Sequence, residues 1–396
     1  MIELNQALQM LLNAARPLAA ERVDLGDALG RVLAEDVAAD TDMPPFDRAT
    51  VDGYACRRAD LGALLTVIET VPAGAAPAKT VRPNQCTKIM TGAAVPRGAD
   101  CVVMVEQTES SGGNIIRFTG GQTGDNISRK ATFIHAGQVI LKKGSRLGPA
   151  HVAVLASVGR VQPLVARRPN AAVIASGDEV LPAAATPSPF QIRNSNGPQL
   201  LAQLQSMGVM ARDYGIVKDV ESEIDSTLRK ALAESDVVLI SGGVSMGDFD
   251  FVPAVLRRNH VRLLFEKVAV KPGKPTVFGL TERAYCFGLP GNPVSTFVVF
   301  ELMVKPFLYR LMGHDYSPVC VQMSLDESVT RKDTDRQAWI PVKFASQASV
   351  RPVQYHGSGH TLALCEADGL ISMEIGVGQI EKASPVNVRL LPRSGL

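Results

Sequence analysis

The sequence predicts an α/β multidomain protein: a central doubly wound α/β domain, a β-rich domain inserted ahead of it, and a β domain behind it. Three observations lead there. The chain has 396 residues, more than the roughly 100–200 of an ordinary domain. Apolar residues make up 46% and charged residues 20%, enough hydrocarbon for several cores and too little charge for a disordered chain. From about Ala166 the pattern alternates strand, helix, strand, helix, strand, as in a parallel sheet covered on both faces.

Taken in order, Leu4, Ala7, Leu8, Leu11 and Leu12 recur at helical spacing, and a second short helix is expected around Ala28, Leu29, Val32 and Leu33. From Thr41 to about Gly148 short β-type runs such as Cys101 to Glu106 alternate with turns rich in Pro, Gly and Asn. The pairs Gly112-Gly113 and Gly120-Gly121 suit turns that need positive φ. Ala171 to Ala175 reads as a strand, and Pro198 to Met207 as a helix ended by Gly208. Asp213 to Val217 is a strand, followed by a helix capped by Asp219 that carries Ile224, Leu228, Ala231 and Leu232 on one face. Val237 to Ile240 closes the pattern, and after Gly313 alternating β-type segments return. The expected domains are 1–42 with 137–165 as a helical and linker domain, 43–136 as the inserted β-rich domain, 166–312 as the α/β domain, and 313–396 as the last.

Lys and Arg number 41 against 39 Asp and Glu, a formal charge of +2, which excludes a dedicated nucleic-acid binder and requires any anion site to be local. The first residues lack the pattern of a secretory signal, and the most apolar stretch, Ser295 to Leu311, is interrupted by Glu301, Lys305 and Pro306. A soluble cytoplasmic protein with no membrane partner is expected. Six dispersed cysteines without a C-x-x-C pair read as buried thiols rather than as a zinc knuckle or a disulfide scaffold.

Parallel sheets bind ligands at the carboxyl ends of their strands, and four segments of this chain fall there. Ser241-Gly242-Gly243-Val244-Ser245 follows the strand Val237 to Ile240, and its glycines let backbone N–H groups approach an anion; Asp248 and Asp250 beyond it could hold a hard cation. Pro290-Gly291-Asn292-Pro293-Val294-Ser295 follows a strand-like Ala284 to Phe287, with Asn292 as N-cap and Pro293 at the first helical position. Between them Lys267, Lys271 and Lys274 lie among prolines, and a strand would set Lys267 and Lys271 on one face. Ser176-Gly177-Asp178-Glu179 brings carboxylates to the same edge, a mixture of charges suited to a metal-bridged phosphate.

These strings, with Phe46-Asp47, Asp52-Gly53-Tyr54-Ala55, Ile89-Met90-Thr91-Gly92 and Lys271-Pro272-Gly273-Lys274-Pro275, closely resemble the molybdopterin molybdotransferase family, which includes bacterial MoeA and the E domain of gephyrin. The resemblance runs over essentially the whole chain. It implies a homodimer whose α/β domain is molybdopterin-adenylyltransferase-like, whose C-terminal domain is β-barrel-like, and whose cleft is completed by the other subunit. It also implies the reaction: molybdenum from molybdate enters adenylylated molybdopterin, AMP leaves, and Mg²⁺ assists. Molybdopterin adenylyltransferase and apo-molybdoenzymes are the implied partners. On this template Glu179, Asp219 and Asp250 line the catalytic edge and hold the metal, Lys267 and Lys271 act with them, and Asp52 and Thr91 reach in from the β-rich domain. Ser241, Gly242, Gly243, Ser245, Lys274, Pro290, Gly291, Asn292, Pro293 and Ser295 hold substrate.

The chain also departs from the family. Where N-[IV]-R-x-x-G-E-D is usual, it reads Asn126-Ile127-Ser128-Arg129-Lys130-Ala131-Thr132-Phe133, without the arginine position, the glycine and both acids. In the last domain Trp339-Ile340 is followed by Pro341-Val342 instead of an arginine. A divergent paralogue that carries molybdopterin or finished cofactor without turnover is the alternative these departures raise, and tungsten could enter the same pterin.

Overall fold

The computed structural model describes residues 1–244, 251–355 and 357–392. The chain forms two compact units: Met1–Ala34, Gly144–Gly148 and Leu164–Leu396 make the first, and Glu35–Lys143 with Pro149–Pro163 the second.

The first unit is built on a six-stranded sheet in the order Met210–Val217, Asn170–Ser176, Val237–Ser241, Tyr285–Leu289, Val277–Leu280, Arg262–Phe265. The first four strands are parallel, and the last two add an antiparallel edge. Successive side chains point to opposite faces, and both faces of the central strands are apolar. Val173, Leu239 and Phe287 pack with Leu200 and Leu204 of helix Asn196–Ser206 and with Val298, whereas Ile174, Val238 and Ile240 pack with Ile224, Leu228 and Val255 of helices Glu221–Glu234 and Val252–Arg258. The sheet is therefore doubly wound, as its near-continuous apolar strands predict.

Ser295 to Leu311 is explained by the same core. Helix Pro293–Val299 runs through a π-turn at Phe300–Val304 into helix Lys305–Leu311. The interrupting charges are buried together: Lys305 Nζ lies 2.8 Å from Glu301 Oε2, and Gln203 Nε2 donates to Glu301 Oε1 at 3.1 Å. A paired buried charge is tolerated where a lone one is not. Among the described residues no helix is long and apolar enough to cross a membrane.

The C-terminal strands Cys320–Leu325, Gln337–Phe344, Ser349–Pro352, Gly369–Met373 and Pro385–Leu390 close on themselves into a five-stranded barrel around Leu325, Val342, Val350, Ile371 and Val388. The two-residue strand Val270–Lys271 extends from the α/β region to pair, in parallel, with the barrel strand at Gln337 and Ala338. The second unit carries its own six-stranded sheet, in the order Cys101–Met104, Gly53–Cys56, Gln85–Ile89, Leu64–Val71, Ile115–Phe118, Thr108–Ser110.

Some local expectations are corrected. No second helix forms near Ala28: a single 3₁₀ turn at Leu25–Asp27 is capped by Ala28, Gly30 follows with φ +74°, and Val32 and Leu33 are extended, bridging to Arg146 and Val165. Two apolar pairs four residues apart mimic a helix face but serve an extended segment. Asp219 is not the N-cap; that position is Val220, in extended conformation without a side-chain cap. Gly112 and Gly113 do take positive φ between Thr108–Ser110 and Ile115–Phe118, while Gly120 and Gly121 do not. Cys56, Cys86, Cys101 and Cys286 are buried, but Cys320 and Cys365 are exposed.

Candidate active site

Two adjoining cavities lie in the first unit. The larger, about 670 Å³, sits at the carboxyl ends of the parallel strands and is lined by Glu179, Asp219, Ser241 to Val244, Pro290 to Pro293 and Asn194 to Asn196. The loop after Val237–Ser241 turns back sharply: Gly242 has φ +101° and Gly243 φ +62°. A Cβ on Gly242 would stand 2.4 Å from the Ser176 carbonyl oxygen, so only glycine lets this loop lie against the neighbouring strand.

The two loops singled out in the sequence are tied together by a residue that was not. Asn196 Nδ2 donates to Ser241 Oγ and to the Gly291 carbonyl, both at 2.7 Å, and Ser241 Oγ donates to the Pro290 carbonyl at 3.2 Å. The amide thus fixes the spacing between the loops. Asn196 Oδ1 and Ser176 Oγ are buried in this wall without a hydrogen-bond partner among the described residues. Buried polar atoms are rarely left so, and both are available to a ligand. The string Asn194-Ser195-Asn196 at a helix start was the available signal; it reads as ordinary capping until the fold brings it beside Ser241.

Asn292 is the N-cap of helix Pro293–Val299 and Pro293 its first residue, as expected, but Asn292 makes no side-chain cap bond. The N–H of Val294 donates to the Ser358 carbonyl at 3.0 Å, so this first-turn donor is already taken. Opposite, the Asp219 N–H donates to Asp178 Oδ1 at 3.2 Å, joining the two acidic turns.

The second cavity, about 610 Å³, is lined by Lys271, Lys274, Ser295, Arg336, Trp339 and Tyr355 among others, and shares Pro275 and Asn292 with the first. Lys271 Nζ lies 3.7 Å from Asp333 Oδ2, and Arg336 Nη2 donates to the same oxygen at 2.6 Å. The Arg336 hydrogen bond, then the Asp335 N–H, pull the Asp333 carboxyl down to about 2. Trp339 Nε1 is buried without a partner among the described residues. Lys267 does not join Lys271: only Val270–Lys271 is a strand, the Val268 N–H turns back onto the Lys274 carbonyl, and Lys267 lines a separate cavity with Met1, Ile2 and Val244.

In the second unit Asp52 Oδ1 accepts both the hydroxyl and the N–H of Thr91, at 2.7 and 2.6 Å, which hold its carboxyl below the usual range. The divergent loop is stabilised without its acids. Asp47 accepts from Arg129 Nη1 and from the Lys130 N–H, both at 2.8 Å; Ala131 takes φ +62°, and Phe133 is 62% exposed. Ser245, Asp248 and Asp250 lie outside the described residues, as does His356.

A doubly wound sheet whose strand ends carry two glycine-containing loops, joined to a five-stranded barrel across a lysine loop, makes the first unit a composite α/β and β-barrel protein with a strand-end ligand site, and the comparisons say which family has this architecture. Residues 2–159 match the MoeA N-terminal region (domain I and II), 172–310 a probable molybdopterin binding domain, and 327–391 the MoeA C-terminal region (domain IV). The molybdopterin molybdenumtransferase of Staphylococcus epidermidis is 34% identical over 98% of this chain and 95% of its own length, and that of Staphylococcus aureus is 34% identical over the same shares. Crystal structures of molybdopterin biosynthesis MoeA proteins from Pyrococcus horikoshii superpose with TM-scores of 0.86 (30% identity, 99% of this chain, 100% of that one) and 0.83 (32%, 98% and 99%). The chain belongs to the MoeA family of molybdopterin molybdenumtransferases.

Proposed function

We propose that the chain takes adenylylated molybdopterin and molybdate as substrates, inserts molybdenum at the dithiolene sulfurs and releases AMP. Membership of the family makes it a transferase of molybdenum cofactor biosynthesis. The observation that carries the finer reading is the pair of cavities that meet at Pro275 and Asn292, one walled by carboxylates and glycine loops and the other by cations. An adenylyl phosphate suits the first and an oxyanion the second.

In this reading Ser241, Gly242, Gly243, Gly291 and Asn292 seat the phosphate, with Pro290, Pro293 and Ser295 shaping the wall, and Ser245 belongs to the same loop. Lys271 and Lys274 hold anionic oxygens, and Asp333 with Arg336 fixes where Lys271 stands. Glu179 and Asp219 offer the hard oxygen donors that suit Mg²⁺, which is commonly held by one or two carboxylates completed by water and substrate phosphate; Asp250 is the third candidate. Bound there, Mg²⁺ would neutralise charge on the departing phosphate. Lys267, which lines a different cavity, contributes at most from outside this pair. Asp52 and Thr91 form a preorganised acceptor and donor pair for the partner subunit of a homodimer. Supply by molybdopterin adenylyltransferase, delivery to apo-molybdoenzymes and a cytoplasmic location complete the proposal.

The Asn126 to Phe133 loop favours a second reading, a carrier without turnover, because no acid stands at Thr132 or Phe133. The relatives' shared designation as transferases favours turnover. Incubation of the purified chain with adenylylated molybdopterin and Mg²⁺, with and without molybdate, separates the two. Molybdate-dependent AMP release supports the insertase; tight binding without release supports the carrier.

A further inference from the structure

We infer that the sheet of the second unit carries a binding site for a small organic anion, a carboxylate or phosphate monoester with a short apolar body, centred on Lys88 and Tyr54. A cavity of about 340 Å³ opens on one face of that sheet. In its floor Tyr54 and Lys88 are directly opposite on antiparallel strands, and Lys88 is directly opposite Thr70 on the parallel neighbour. Directly paired residues share a face with Cβ atoms about 4.5–5.5 Å apart, so phenol, ammonium and hydroxyl form one cross-strand row.

The row exists because of a β-bulge. The register of Leu64–Val71 against Gln85–Ile89 shifts between Val67 and Glu69, with Val67 opposite Cys86 and Thr70 opposite Lys88. Without the extra residue, strict alternation from Val67 would set Glu69 on the cavity face beside Lys88. With it, Glu69 turns to the other face, where its carboxylate accepts the N–H groups of Ala78 and Lys79 at 3.2 and 3.1 Å. The bulge therefore takes the natural counter-ion away from Lys88. Among the described residues the ammonium of the half-buried Lys88 has no ion pair or hydrogen bond, and no carboxylate lines the cavity. Ser110 and Asn114 supply further donors at the rim, while the Thr108 hydroxyl is held by the Val105 carbonyl at 2.8 Å, and Val67 and Ile116 form the apolar base. A cation flanked by neutral donors over an apolar floor is the arrangement that recognises such an anion.

The test uses the full chain with Lys271→Ala and Lys274→Ala, so that the lysine cavity of the first unit does not contribute, titrated with benzoate and with phenyl phosphate by calorimetry. Saturable one-to-one binding of at least one probe is expected, weakened about tenfold or more by Lys88→Met and restored by Lys88→Arg. Absence of saturable binding by both probes overturns the inference, as does equal affinity in Lys88→Met. Should Lys88→Met fail to fold, Tyr54→Phe replaces it: weaker binding supports the site, and unchanged affinity overturns it.

Discussion

Gly242→Ala perturbs the loop that the proposed phosphate seat depends on, and the structure sets its size. The new Cβ would lie 2.4 Å from the Ser176 carbonyl oxygen and 2.8 Å from Ser176 Oγ, where separations under 3.0 Å are essentially never seen, so the loop must retreat by about 0.6 Å or more. The backbone must also hold φ +101° with a side chain attached, which costs about 1–3 kcal/mol. A retreat of that order in a positioned ligand seat can lower the rate by roughly a hundredfold. Gly291→Ala is the matched control: its Cβ meets only Gly242 Cα, at 3.8 Å, and its φ is not positive. Differential scanning fluorimetry and AMP-release kinetics should show Gly242→Ala with a lower melting temperature and a strongly reduced kcat/KM, and Gly291→Ala near the parent in stability. A Gly242→Ala protein as stable and active as the parent, or a Gly291→Ala protein equally destabilised, would refute the reasoning.

Other substitutions reach the remaining parts of the site. Asn196→Ala removes two hydrogen bonds of 2.7 Å and takes a partner from the buried Ser241 hydroxyl, so urea unfolding should show a loss of about 1–3 kcal/mol; no loss would mean the loops hold their spacing unaided. Lys271→Ala should weaken adenylylated molybdopterin or molybdate binding about tenfold or more, and unchanged affinity in both titrations would remove Lys271 from the site. Phe133→Asp should raise turnover if the exposed ring marks a lost acid; a fall with folding intact would show a loop rebuilt around the ring. Asp333, lowered from 3.8 to about 2, favours the folded state above its ordinary value and loses that contribution as pH falls through about 2. Carboxyl NMR should therefore find Asp333 ionised at pH 3 in the parent and more protonated at that pH in Arg336→Gln.

What the sequence made legible was local chemistry. Gly242-Gly243 after an apolar strand, Asn292-Pro293 before a helix and the parallel strand pattern each depend on neighbours in the chain, and each appears where expected. Through-space relations were not legible. Asn196 reads as a helix-start residue until the sheet brings it to Ser241 and Gly291. Asp333 and Arg336 read as a polar turn until the barrel strand pairs with Val270–Lys271. Even spacing predicts one strand through Lys267 and Lys271, whereas hydrogen bonding turns the chain at Val268 toward Lys274. The Glu69 bulge is likewise invisible in sequence, since strict alternation gives the opposite face.

The most direct measurement couples the two ends of the proposed reaction. The purified chain is supplied with adenylylated molybdopterin, Mg²⁺ and molybdate, and AMP release is followed beside activation of an apo-molybdoenzyme by the product. The expected result is molybdate-dependent AMP release matched by enzyme activation, both reduced in Lys271→Ala. AMP release that ignores molybdate, or tight binding with neither release nor activation, would contradict insertion of molybdenum at this site.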